Sequence, residues 1–246
     1  MSEAWLRYSL LMSHAEADVA AAAGLLAERA RTALVVAVIE DGPLPASELA
    51  ARAGVAPSTA SEHLARLVAG GFLATSRQGR HRYYRLAEPA VAEAVEALAV
   101  VAPQPKVRSL REATQGELLR EARTCYDHLA GRLGVALADA LERRGALRRD
   151  DGAFVLGPRA KRALEPLGID LDELEPGRRP LVRGCLDWSE RELHLSGALG
   201  AALATRLFEL GWVARRDGNR SVAITAQGNE ALGKLGVHVE SSRAPA

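Results

Sequence analysis

Residues 44–86, LPASELAARAGVAPSTASEHLARLVAGGFLATSRQGRHRYYRL, constrain the fold more than any other stretch of this chain. Ser47, Glu48, Leu49, Ala50 and Ala53 make a short, alanine-rich amphipathic helix. It stops at Gly54, where a left-handed backbone costs a glycine little. Val55 then supplies an apolar plug, and Pro57 suits a first helical turn because its missing N–H has no intrahelical partner there. Ser58 and Thr59 are placed to satisfy the orphan donors of that turn. Along the second helix Ala60, Leu64, Leu67 and Val68 share one face, while Ser58, Thr59, Ser61, Glu62, His63 and Arg66 point elsewhere. Gly70 and Gly71 end it. Phe72, Leu73 and Thr75, then Arg82 to Leu86, alternate as two strands around Arg77-Gln78-Gly79-Arg80.

Two short helices, a tight turn and a basic hairpin in that order are the sequence form of a winged helix-turn-helix, whose polar helix face is free to meet a major groove. Six arginines stand against two glutamates between Pro43 and Arg85, although the whole chain has a formal net charge of only +1. Local charge decides here, since phosphate contacts act within a Debye length of roughly 8 Å. The expected DNA-binding residues are Ser58, Thr59, Ser61, Glu62, His63 and Arg66 of the second helix, with Arg77, Arg80, His81, Arg82 and Tyr83 of the wing. The expected partner is a double-stranded DNA operator. The alternative is a winged-helix interaction module that dimerises without DNA, its charged hairpin merely a solvated edge.

At these positions the chain resembles the ArsR-type winged-helix repressors. The residues that carry the resemblance are Glu48-Leu49-Ala50, Gly54, Ser58-Thr59, Ser61, His63-Leu64, Leu67 and Gly70-Gly71-Phe72-Leu73, then Arg77, Gly79-Arg80, Tyr83-Tyr84 and Leu86. Ala27 to Glu40 also resembles the helix that precedes the motif in that family, so the likeness spans roughly residues 14–100. It implies a homodimer that covers a short operator and leaves it when an inducer or metal binds. One departure matters: metal-sensing members carry cysteines in the first helix of the motif, whereas this chain has Glu48-Leu49-Ala50-Ala51-Arg52. The acidic and histidine site that other members hold in the dimer helix is also incomplete, because Pro89 to Val101 contains Glu93 and Glu96 but no histidine.

A chain of 246 residues with 48% hydrophobic content is long enough for more than one core. Val101-Ala102-Pro103-Gln104-Pro105 is the expected joint, since two prolines in three residues oppose a helix. The expected domains are therefore 1–102 for DNA binding and dimerisation and 103–240 for effector binding or dimerisation, with a flexible tail at 241–246. No run of eighteen apolar residues and no signal peptide is seen, the apolar stretch Trp5 to Met12 being short, so a cytoplasmic protein without membrane contact is expected. Two cysteines, Cys125 and Cys185, agree with free thiols in a reducing compartment.

From about Ser109 to Arg144 the apolar positions recur near helical spacing, with Gly116, Gly131 and Gly134 as breaks or kinks. This half also repeats itself. His128-Leu129-Ala130-Gly131-Arg132-Leu133-Gly134 matches His194-Leu195-Ser196-Gly197-Ala198-Leu199-Gly200 at an offset of 66, which also carries Leu141 onto Leu207 and Gly145 onto Gly211. The register then slips to 68, pairing Leu156 with Ile224 and Leu167-Gly168-Ile169 with Leu235-Gly236-Val237. Each copy, at about 120–171 and 186–239, reads as helix, hairpin, helix, with the hairpins at Ala146 to Leu156 and Trp212 to Thr225. One such unit would bury a poor fraction of its surface, so the copies are expected to pack together and leave a pocket at their seam. The alternative is a pair of degenerate winged helices serving as a dimer arm. The fold class is thus α+β, mostly helical with small hairpins: a winged helix-turn-helix followed by a tandem-repeat, winged-helix-like domain.

Cys125, Tyr126, His128, Cys185, Trp188 and His194 are the candidate effector residues. Cys125 and His128 stand three apart, as on one helical face, and thiolate with imidazole suits zinc, copper(I) or a trivalent metalloid. Cys-x-x-His alone is a weak pattern, however, and at the offset of 66 Cys185 meets no cysteine in the first copy. Packing, thiol redox or metalloid sensing, and metal binding stay open, and no resident metal or cofactor is expected. Trp188, Tyr126, Phe208 and Trp212 line either an apolar effector site or the core. No P-loop, G-x-G-x-x-G after a strand, H-E-x-x-H or G-x-S-x-G occurs, and Asp170 to Glu175 lacks the spacing of a calcium loop. A methyltransferase with a winged dimerisation domain would need a cofactor-binding glycine loop that is missing, so no enzyme and no catalytic residue is expected. The reading is a homodimeric DNA-binding repressor released by a small-molecule or redox effector in its second half.

Overall fold

The structure is a computed structural model that describes residues 17–103, 106–174, 179–216 and 219–239. Trp5 to Met12, Gln104-Pro105 of the expected joint, Glu175 and the tail at 241–246 lie outside the described residues. The chain divides into two compact units, Met1–Pro89 and Ala90–Ala246.

In the first unit, α1 (Val19–Leu26) and α2 (Arg29–Asp41) precede a short strand β1 (Leu44–Pro45), α3 (Ala46–Ala53) and α4 (Pro57–Ala69). Strands β2 (Leu73–Gln78) and β3 (His81–Leu86) form the hairpin, and the antiparallel sheet has the order β1-β3-β2. Gly54 takes the left-handed conformation, φ 66° and ψ 34°, and its N–H closes α3 onto Ala50 and Ala51. Pro57 opens α4, but no side chain caps that turn: the cap position is Ala56. Ser58 and Thr59, expected as caps, lie inside the first turn, two and three residues past the position from which a hydroxyl reaches those donors. Leu34, Val35, Leu49, Ala60, Leu64, Leu67 and Leu73 are all but sealed from solvent and form the core on which α4 and the hairpin sit.

The second unit opens with α5 (Pro89–Val101), a helix that the sequence reading placed in the first domain. In this unit Glu93 pairs with Arg183 at 2.5 Å, and Glu96, almost fully buried, pairs with Arg220. After α6 (Leu110–Glu121) come two copies of one arrangement. The first is β4 (Arg123–Cys125), β5 (His128–Ala130), α7 (Gly131–Arg143), β6 (Leu147–Asp150), β7 (Ala153–Leu156) and α8 (Ala160–Leu164) with a 3-10 turn at Glu165–Leu167. The second is β8 (Arg183–Leu186), β9 (Leu193–Ser196), α9 (Gly197–Glu209), β10 (Val213–Arg215), β11 (Val222–Ile224) and α10 (Ala226–Lys234).

Each copy therefore runs hairpin, helix, hairpin, helix. The leading hairpin is a correction, since residues 109–144 read as one interrupted helix. Strands of three residues are too short to display an alternation, and the apolar spacing of the flanking helices runs across them. Cys125 and His128 are accordingly not one turn apart on a helix but cross-strand partners in β4–β5.

The copies interlock. Leu133, Leu137, Leu141 and Leu164 share one apolar core with Leu199, Leu203, Leu207 and Leu232. Backbone bonds from Thr124 N–H to Arg220 O and from Val222 N–H to Ala122 O tie the first hairpin of one copy to the second hairpin of the other. Gly131 and Gly197 begin α7 and α9 at φ 74° and 82°. Gly134 and Gly200 bring each helix against the other copy's histidine: a Cβ on Gly134 would lie 3.4 Å from His194 Cβ, and one on Gly200 would lie 3.4 Å from His128 Cβ.

Candidate functional site

On the first unit, Ser58, Thr59, Ser61, Glu62 and Arg66 are exposed along α4, beside the exposed Arg77, Arg80, His81 and Arg82 of the wing. Strand register sets Arg77 directly opposite Arg82, and Gln78 opposite His81. Like charges in such a cross-strand pair repel, and among the described residues no carboxylate pairs with Arg77, Arg80 or Arg82. The repulsion falls when an anion takes the place between them. Arg82 also lies over the Tyr84 ring at 5.3 Å, which stiffens its stem.

In the second unit the two leading hairpins converge. Cys125 faces His128 across β4–β5, and Cys185 faces His194 across β8–β9. Cys125 Sγ lies 3.9 Å from Cys185 Sγ, and His128 Nε2 lies 3.2 Å from His194 Nε2. The other ring nitrogens each meet a carboxylate: His128 Nδ1 is 3.2 Å from Asp127 Oδ1, and His194 Nδ1 is 3.3 Å from Asp187 Oδ2. Asp187 is wholly buried and accepts from Arg123 at 2.9 Å, Gly131 N–H at 2.7 Å and the Ser189 hydroxyl at 2.8 Å. Its burial raises the carboxyl pKa, but His194 and the Arg123 guanidinium outweigh this and hold it far below the usual carboxylate range.

The thiols are driven apart in the same way. The hydrogen bond from Cys125, with His128 and His194, lowers the Cys185 pKa well below an ordinary thiol, against the burial that raises it. That same bond, burial and the nearby Glu96 raise Cys125. For His128 burial lowers the pKa, but Asp127 and Cys185 outweigh it and raise the imidazole. A cavity of about 260 Å³ opens beside this cluster, between α5 and the hairpins, with Ala92, Glu96, Tyr126, Cys185 and Gly197 among its walls.

The helix-turn-helix domain family matches residues 26–76. Across 217 residues, 88% of this chain and 96% of the relative, the sequence is 39% identical to YdfF of Bacillus subtilis (strain 168), described as an uncharacterized HTH-type transcriptional regulator. The chain belongs to the HTH-type transcriptional regulators. This regulator is also similar, over shorter spans, to two solved structures. The homodimeric winged helix-turn-helix DNA-binding domain of Mb0332 from Mycobacterium bovis is 27% identical, over 35% of this chain and 87% of that one, with a TM-score of 0.32. The transcriptional repressor BigR from Xylella fastidiosa is 26% identical, over 43% of this chain and 100% of that one, with a TM-score of 0.34.

Two of the regulator's expected site residues have partners of their own. His63 is half-buried and turned toward Glu28, 3.4 Å away. Trp188 packs under the buried Arg123 guanidinium, 4.4 Å from the ring centroid, and does not line the cavity. Cys125, Tyr126, His128, Cys185 and His194 do come together at the seam.

A second repeated motif escaped the sequence reading. Arg123-Thr124-Cys125-Tyr126-Asp127 matches Arg183-Gly184-Cys185-Leu186-Asp187 at an offset of 60, while the histidines that follow match at 66. The difference is six extra residues, Trp188 to Leu193, between aspartate and histidine in the second hairpin. An alignment that admitted this gap would have placed both cysteines, both aspartates and both histidines in register. Among the described residues, no helix is long and apolar enough to cross a membrane.

Proposed function

We propose that this regulator is a homodimeric repressor that grips its operator with α4 and the wing and lets go when an effector occupies the seam cavity of the duplicated unit. The observation that carries the grip is the arginine hairpin. Arg77, Arg80 and Arg82 are exposed beside the exposed polar face of α4, and Arg77 faces Arg82 without an intervening carboxylate. The uncapped first turn of α4 adds backbone donors suited to a phosphate. A second copy is favoured by Leu98 and Val101, which stay exposed on α5 in the single chain. The resemblance to ArsR-type repressors points the same way.

The test is fluorescence anisotropy with duplex from upstream of the chain's own coding region, run over a series of salt concentrations. Arg80→Ala should weaken binding to every duplex and lower the salt slope by about one, while Ser61→Ala should alter preference among duplexes. Equal salt slopes for Arg80→Ala and the parent would remove the wing from the interface.

A further inference from the structure

We propose that Cys125, His128, Cys185 and His194 form a tetrahedral site for one divalent cation of the zinc class, which clamps the two leading hairpins together across the seam. The site goes beyond operator binding and is measured on the protein alone. All four ligand atoms lie within 4.8 Å of one another. With zinc–sulfur bonds near 2.3 Å and zinc–nitrogen bonds near 2.0–2.1 Å, a tetrahedron sets its two sulfurs about 3.8 Å apart and its two nitrogens about 3.3 Å apart. The Sγ pair stands at 3.9 Å and the Nε2 pair at 3.2 Å.

The surroundings complete the argument. Asp127 hydrogen-bonds His128 Nδ1, the outer-shell placement that fixes a ligating imidazole and turns its Nε2 lone pair inward, and Asp187 stands as an ion-pair partner 3.3 Å from His194 Nδ1. Two such lone pairs 3.2 Å apart repel unless a proton or a cation stands between them. The donor set selects the ion: two thiolates and two imidazoles suit zinc, cobalt(II) or cadmium. A trivalent metalloid takes three thiolates, and the whole chain has two cysteines. Cys185 is partly accessible from the cavity, which provides an entry path. Binding displaces thiol and imidazole protons to solvent and forms metal–sulfur and metal–nitrogen bonds, with no change of oxidation state.

The experiment uses the full chain, reduced and stripped with chelator, titrated with cobalt(II) alone and then zinc(II) alone. One equivalent per chain should give the intense visible bands of tetrahedral cobalt and a thiolate-to-cobalt charge-transfer band, both erased by zinc. Cys125→Ser/Cys185→Ser should lose the charge-transfer band while circular dichroism shows the fold retained. Asp127→Asn lies at the partly exposed rim of the site and tests the proposal even if the double variant does not fold. It should keep the spectrum and bind about 10–100-fold more weakly. A pale octahedral cobalt spectrum, or unchanged affinity in both variants, would overturn the site. So would a reduced protein that takes up no metal but closes a Cys125–Cys185 disulfide with oxidant, which would make the cysteines a redox pair.

Discussion

Among the described residues Arg123 is the largest side chain wholly removed from water, and only its partners make that tolerable. Its guanidinium bonds Asp187 Oδ1 at 2.9 Å, the Ser189 hydroxyl at 3.1 Å and Leu119 O at 3.1 Å. Removing one partner of a buried pair strands the other charge, a loss of about 3–5 kcal/mol. Arg123→Met should therefore lower the stability of the second unit by that order in denaturant melts followed by Trp188 and Trp212 fluorescence. Lys161→Ala, which removes an exposed partner of Asp172, should leave the melt where it was. Acid reports on the same pair. Because folding lowers the Asp187 pKa, its contribution is complete above the unfolded value of about 3.9 and shrinks as the pH falls below it. The second unit should thus lose stability below about pH 4, and a flat profile between there and pH 2 would show that Asp187 does not stay ionised in the folded state. None of this was legible in the sequence, where Arg123 is one arginine among many and its carboxylate lies 64 residues away.

At the scale of elements, the glycines of α7 and α9 were visible as a repeated motif, but their purpose was not. Alanine normally improves a helix over glycine by roughly 1 kcal/mol. In α7 a Cβ on Gly134 would meet Leu129 O at 2.5 Å, and in α9 one on Gly200 would meet Leu195 O at 2.6 Å. Gly116 in α6 has open space around it. Gly134→Ala and Gly200→Ala should each destabilise the second unit by about 1–3 kcal/mol, whereas Gly116→Ala should stabilise it by roughly 0.5–1 kcal/mol. Thermal melts of the three variants decide it, and a gain at Gly134 or Gly200 would mean that each helix can move off the strand that leads into it. The first unit was far more legible, since its helix ends are set by local chemistry at Gly54 and Pro57. Its side chains were less so: Ser58 and Thr59 do not cap α4, and His63 takes as its partner Glu28, which is far away in sequence.

For the whole molecule, duplication was readable wherever spacing was preserved and unreadable where the second hairpin gained six residues between Asp187 and His194. That gap hid the juxtaposition of the two cysteines, and with it the strongest chemical feature of the chain. Its consequence for regulation rests on α5, which starts three residues after β3 of the wing and carries Ala92 and Glu96 to the wall of the seam cavity. If occupancy of the seam sets the grip on the operator, the two binding reactions are linked, and linkage is reciprocal. Zinc should weaken operator affinity by a factor in the range of about 5–150, and operator duplex should weaken zinc affinity by the same factor. Both numbers come from equilibrium titrations: anisotropy of labelled duplex with and without zinc, and cobalt absorbance displaced by zinc with and without duplex. A factor of one in both directions would leave the metal site standing and sink the release mechanism, because an ion that binds both forms equally shifts nothing however tightly it is held.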